Sequence, residues 1–191
     1  MPGTGHGVVA RGVGGVIIMR RLGVVVALGA LLGMIGGAAT AAPALAGRGH
    51  KWELMEAPSF TVPASFCGFK VRVTAPLNKV FFKVLKASDG SMTLLFTGSF
   101  HRSYRNLQTG KAITENVPGQ AKATVHSDGS LTFRGHGRNE LFLAPADAKR
   151  FGLPTMSLVV GALTGRFDSD GTITSLSLQG HVLVDVCAAL S

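Results

Sequence analysis

The residues of this chain best suited to acid–base chemistry are His181 and Asp185. An imidazole in contact with a carboxylate can act as a general base held in place by its partner. Both lie in the alternating segment from Gly180 to Cys187, so both side chains share one face of a strand. Four strand residues span about 13 Å, so the two meet only if the strand bends near Gly180. No serine occupies the G-x-S-x-G turn that would supply a nucleophile. The expectation is therefore a non-enzymatic protein, with His181 and Asp185 as the only candidates for catalysis.

The remaining candidates are weaker. His50, His101, His126, His136 and His181 form no H-x-H or H-x-x-x-H pair. A zinc or copper site would need three or four ligands converging from separate strands, so no metal is expected. His126 and His136 flank one hairpin and are the closest approach to such a site. Gly135-His136-Gly137 and Gly161-Ala162-Leu163 do not open a helix after a strand, so they are not phosphate loops and no cofactor is expected. Arg102, Arg105, Lys111, Lys122, Arg134 and Arg138 are spread over several strands, with Phe100 and Tyr104 among them. That pattern resembles a single-strand-binding face, but one Tyr and one Trp make a poor stacking platform. They read more simply as a solvated outer surface, and nucleic acid is not an expected partner.

The elements that would position these groups begin only after a leader. Met19-Arg20-Arg21 precedes an uncharged apolar run, Leu22 to Ala42, that ends in Ala44-Leu45-Ala46. A basic start, an apolar run and an Ala-x-Ala end describe a secretory signal peptide, assigned to 1–46, with Met1 or Met19 as its start. Of the 19 Lys and Arg, three (Arg11, Arg20, Arg21) fall in the leader; the 16 that remain against 10 acidic residues leave a net charge of +6. A basic exported domain can settle on anionic polymers. Nothing after the leader has the 18 apolar residues of a spanning helix.

Residues 47–65 read as a flexible lead-in, with Trp52 tucked against the domain. The single domain, 66–191, is all β. Phe66 to Thr74 alternates apolar and polar residues, with Cys67 on the buried face. Ser88-Asp89-Gly90-Ser91, Ser127-Asp128-Gly129-Ser130 and Ser169-Asp170-Gly171-Thr172 are hairpin turns. The last strand runs from Ile173 through Val186, interrupted at Gln179-Gly180. One short helix is expected, Pro145 to Phe151. About eight to ten short strands with regular turns predict an antiparallel barrel, lipocalin-like or allene-oxide-cyclase-like, or else a sandwich. Cys67 and Cys187 lie near the ends of the domain in an oxidising compartment, which predicts a disulfide worth roughly 5 kcal/mol by the chain-entropy model.

The chain resembles a group of small exported actinobacterial proteins of uncharacterised function. The residues that carry this are Cys67-Gly68-Phe69, Asn106-Leu107, Gly135-His136-Gly137-Arg138-Asn139, Leu163-Thr164-Gly165-Arg166 and Gly180-His181-Val182 with Val184 to Cys187. The resemblance implies export, a β-rich domain and the Cys67–Cys187 pairing, and no activity.

The leading functional expectation is a secreted barrel that binds a small apolar molecule among Phe69, Val71, Phe82, Phe96 and Phe133. The alternatives are a small-barrel cyclase or isomerase using His181 and Asp185, and an envelope module that binds anionic wall polymers.

Overall fold

Alternation of apolar and polar residues carries the chain through nine strands, and turn residues and prolines set where each one stops. The structure is a computed structural model, and it describes residues 51–191. The leader, His50 and the first part of the lead-in lie outside the described residues.

In chain order the elements are β1 (Glu53–Leu54), β2 (Phe60–Val62), α1 (Ala64–Cys67), β3 (Val71–Lys86), β4 (Met92–Asn106), β5 (Ala112–Asn116) and β6 (Gly119–Val125). They continue with β7 (Leu131–Phe142), α2 (Pro145–Phe151), β8 (Met156–Phe167), β9 (Ile173–Asp185) and α3 (Val186–Leu190). All strands join one antiparallel sheet in the order β1-β3-β4-β6-β7-β8-β9, with β2 also on β3 and β5 also on β4. The all-β expectation holds. The expected closure does not: among the described residues β9 and the β1/β2 side remain separate edges, so the sheet is open.

The number of strands, nine, is as expected, but several are longer than the alternation alone suggests. Val71–Thr74 and Leu77–Lys86 are one strand, with the register shifted between Thr74 and Leu77, where Pro76 has no N–H to give to the ladder. The three Ser-Asp-Gly turns share one geometry. The carboxylate of Asp89 accepts from the Ser91 amide at 2.8 Å, Asp128 from Ser130 at 2.9 Å and Asp170 from Thr172 at 2.8 Å. In each turn the glycine takes a left-handed φ of 82–86°, which residues with a Cβ adopt only under strain.

The inward residues of β3, β4, β6, β7 and β8 form one apolar core with Val62, Phe69, Val186 and Leu190. A smaller cluster of Leu141, Val159 and Leu163 lies beside it. Val159 and Leu163 stand on either side of Gly161, in a row of paired glycines, Gly119, Gly137, Gly161 and Gly180, that crosses β6, β7, β8 and β9. A Cβ on Gly180 would lie 1.9 Å from the Val160 carbonyl oxygen, and one on Gly161 would lie 2.2 Å from that of Gln179. Only bare backbone allows the strands to come this close.

Neither cysteine lies in a strand, although the alternation predicts Cys67 in the first one. Cys67 closes the one-turn helix α1, which Gly68 ends at φ 82°, and β3 starts only at Val71. Val186 and Cys187 belong to α3. Asp185 caps that helix, its carboxylate accepting from the Ala188 amide, and this capping overrides the β-branched run before it. The disulfide Cys67–Cys187 is present, with Cα atoms 5.1 Å apart. It joins the segment leading into β3 to the helix that follows β9. Helix α2 forms where expected: Pro145 opens it and Gly152 closes it in the left-handed conformation.

Candidate functional site

Because every long strand alternates, the sheet has a buried face and an outer face, and hydrogen-bonded register lines the outer residues into rows. One row reads Lys83, Leu95, Lys122, Arg134, Thr164, Ser177 across β3, β4, β6, β7, β8 and β9. The row nearer the turns reads Leu85, Thr93, Thr124, Thr132, Arg166, Ser175. On the far side, Gln120, His136, Ala162 and Gln179 form a third. No Asp or Glu occurs among these residues. This face combines Lys83, Lys122, Arg134 and Arg166 with hydroxyl and amide side chains.

At its centre, Lys122, Thr124, His126, Thr132 and Arg134 line a shallow groove of about 350 Å³. Cross-strand pairing sets Lys122 directly beside Arg134 and Thr124 beside Thr132. The hydroxyl of Thr124 lies 3.1 Å from that of Thr93, and His126 Nε2 lies 2.9 Å from the Thr132 hydroxyl. The two cations have no carboxylate partner among the described residues. Like charges in register repel, so an anion seated between them relieves a cost that the free protein carries.

Acidic groups stand at the turn end of the sheet. The amide of Ser91 holds the Asp89 carboxyl below its usual value of 3.8, and the hydroxyl and amide of Ser130 do the same for Asp128. The opposite side of the basic face is apolar. Phe81 is 41 % exposed beside its strand partner Leu54 at 56 %, and Trp52, two residues before Leu54, is 48 % exposed. Trp52 is therefore not tucked against the domain. A short β1 leaves it without enough neighbours to cover the ring.

The catalytic pair is not assembled. His181 is exposed on β9, opposite Val160, while Asp185 is spent on capping α3, with no hydrogen bond between the two. No group of three or more His, Cys, Asp or Glu side chains suited to a metal occurs among the described residues. No helix among them is long and apolar enough to cross a membrane. Of the residues proposed to line an apolar ligand, Phe69, Val71, Phe82 and Phe96 are buried in the main core, and Phe133 packs against both clusters. The Phe82 and Phe96 rings stack at 6.4 Å.

The basic residues divide in a way that spacing did not reveal. Arg102 points inward and is 1 % exposed. Its Nε donates to Glu140 at 3.1 Å, its guanidinium lies over Phe100 at 4.4 Å, and the Tyr104 hydroxyl donates to the same carboxylate. Phe100 and Tyr104 are buried with it, so this segment presents no stacking surface to nucleic acid. Asn106, Arg138 and Asn139 are structural. The Asn106 side chain takes the Gln108 amide and donates to the Leu190 carbonyl, Arg138 donates to the Asn116 carbonyl, and Asn139 to that of Gly137.

No protein-family model matches the chain, and no curated protein or solved structure is significantly similar to it.

Proposed function

We propose that this is a secreted, disulfide-stapled binding module that holds anionic polymers of the cell envelope on the basic outer face of its sheet. The observation that carries the reading is the register: it brings Lys83, Lys122, Arg134 and Arg166 into rows that contain no carboxylate, with Asp89 and Asp128 at the turn end near His126. Cations spaced along a face meet a polymer of repeating negative charge at several points, and each contact adds to the rest. The groove between Lys122 and Arg134 supplies two cations and two hydroxyls, a donor set suited to a phosphate or carboxylate group. The exposed Trp52 and Phe81 offer ring faces to sugar units of the same polymer. Export, read from the leader, brings the protein to such polymers, and the disulfide is compatible with that compartment.

The apolar-ligand reading loses its support, because the side chains meant to line a cavity are themselves the packed core. The cyclase or isomerase reading loses its acid–base pair to the capping of α3.

The test is retention of the exported protein on a poly(glycerol phosphate) matrix, with neutral dextran and anionic lipid vesicles as comparisons. Binding to the phosphate polymer that weakens steeply with salt is expected. Lys122→Glu with Arg134→Glu should reduce affinity about tenfold or more, with the thermal midpoint unchanged because both side chains are exposed. Retention unaffected by salt or by these substitutions overturns the proposal, and binding to vesicles alone replaces it with a membrane-surface role.

A further inference from the structure

A strand with one unpaired edge recruits another strand unless the edge is short, charged, interrupted by proline or covered. The two edges of this sheet differ in this respect. On one side, β3 is capped by the two- and three-residue strands β1 and β2, in a segment broken by Pro58 and Pro63. On the other, β9 runs thirteen residues from Ile173 to Asp185 and pairs only with β8. It contains no Lys, Arg or Pro, and its one carboxylate is engaged as the cap of α3. Its first two carbonyls, those of Ile173 and Thr174, accept from Arg150. From Ser175 to Leu183 no second strand among the described residues pairs with the edge.

The side chains along β9 are compatible with one another across a two-fold axis. Leu176 and Leu178 are half-buried against the smaller cluster, so each has apolar surface left over. We propose that β9 is a homodimer interface, pairing antiparallel with β9 of a second copy about an axis at Leu178. In this register Leu178 meets its own symmetry mate, and Leu176 lies opposite Gly180 of the second copy, where no side chain competes for space. On the outer face Ser177 stands opposite Gln179, and Ser175 opposite His181. None of these four carries a carboxylate, and neither lysine nor arginine is among them. The basic residues Lys83, Lys122 and Arg134 sit on strands farther from the axis, so their charges do not meet. The two-fold axis supplies the match of Leu176 to Gly180 twice, and this self-match selects a second copy as the occupant. The inference is independent of the polymer proposed for the basic face.

The experiment is the solution mass of the exported protein by sedimentation and light scattering across a dilution series. A concentration-dependent dimer is expected. Ser177→Lys with Gln179→Lys places like charges directly opposite each other, and should raise the dimer dissociation constant about tenfold while leaving the thermal midpoint of the monomer unchanged. Ser177→Lys with Gln179→Glu places opposite charges across the same axis and should restore dimerisation. A wild-type protein that stays monomeric throughout overturns the proposal, as does a double-lysine variant that dimerises like wild type. Failure of the lysine–glutamate pair to recover the dimer overturns the register.

Discussion

Arg102, Tyr104 and Glu140 show how much one side chain's direction matters. Arg102 and Tyr104, which read as outer surface in the sequence, form a buried ionic cluster with Glu140, with Arg102 Nε 3.1 Å from Glu140 and one guanidinium nitrogen, Nη1, left without a protein partner. Burial disfavours the phenolate, and the neighbouring Glu140 charge disfavours it further, so Tyr104 titrates well above its ordinary 10.0. The sign of the linkage follows. The unfolded chain releases the phenol proton near pH 10 while the folded state keeps it, so stability present below that pH falls as pH rises above it. Tyr104 is the only tyrosine, so phenolate absorbance reports this one group. We expect no phenolate signal until the protein unfolds at alkaline pH, with absorbance and circular dichroism changing together. A phenolate appearing near pH 10 in folded protein would refute the burial. The direction of Arg102 is legible in the alternation: Phe100, Arg102 and Tyr104 share parity, and two apolar residues out of three mark that face as inner. A buried arginine is tolerated on that face because its charge is paired with Glu140.

At the scale of strands and turns, much of the basic face was legible. Lys83, Lys122 and Arg134 each lie six residues from the Asp of their own turn, as do Leu95 and Thr164. Three identical turns place their strands in a common register, so residues equally distant from the turns fall in one row. The spacing was visible in the repeats, but the order of strands was not, and a row exists only once β6 is known to pair with β4 across the excursion of β5. The helices were less legible for the same reason. α2 carries its own start and stop residues, whereas α1 and α3 are single turns imposed by Gly68, by Asp185 and by the disulfide between them. The glycine row is the other element-level device. Gly161 has φ 131°, and an added Cβ would meet the Gln179 carbonyl carbon at 3.0 Å as well as its oxygen. Backbone cannot give way there as a flexible side chain would. Gly161→Ala should therefore destabilise the fold by about 3 kcal/mol or more, seen as a lower urea midpoint. Gly171→Ala is the comparison: its φ of 86° carries a strain cost, but no atom lies within 4 Å, so its loss should be smaller.

For the molecule as a whole, an open sheet raises the question of what holds its two sides in position. Strand-to-strand hydrogen bonds do not, because among the described residues β9 and the β1/β2 side do not pair. The work falls to the core and to the C-terminal segment. Val186 and Leu190 of α3 are buried in the main core, the Leu190 carbonyl accepts from Asn106 on β4, and Cys187 is bonded to Cys67 ahead of β3. The bond closes a loop of 120 residues in sequence separation, nearly the full domain, so its loss frees the unfolded chain more than a short staple would. Reduction, or Cys67→Ala with Cys187→Ala, is expected to remove up to about 4–5 kcal/mol, a large part of a typical domain's stability but not all of it. The expected result is a large drop in the denaturant midpoint with the native circular dichroism retained in buffer, because the apolar core is unaltered. If the double-alanine variant keeps the wild-type midpoint, then α3 docking alone fixes the sides of the sheet. If it fails to fold, comparison with the reduced wild type at matched temperature separates the missing cross-link from the two substitutions. The same logic ties stability to binding: the basic rows stay aligned only while β3 and β9 hold their curvature, so polymer affinity should fall in step with the loss of the disulfide.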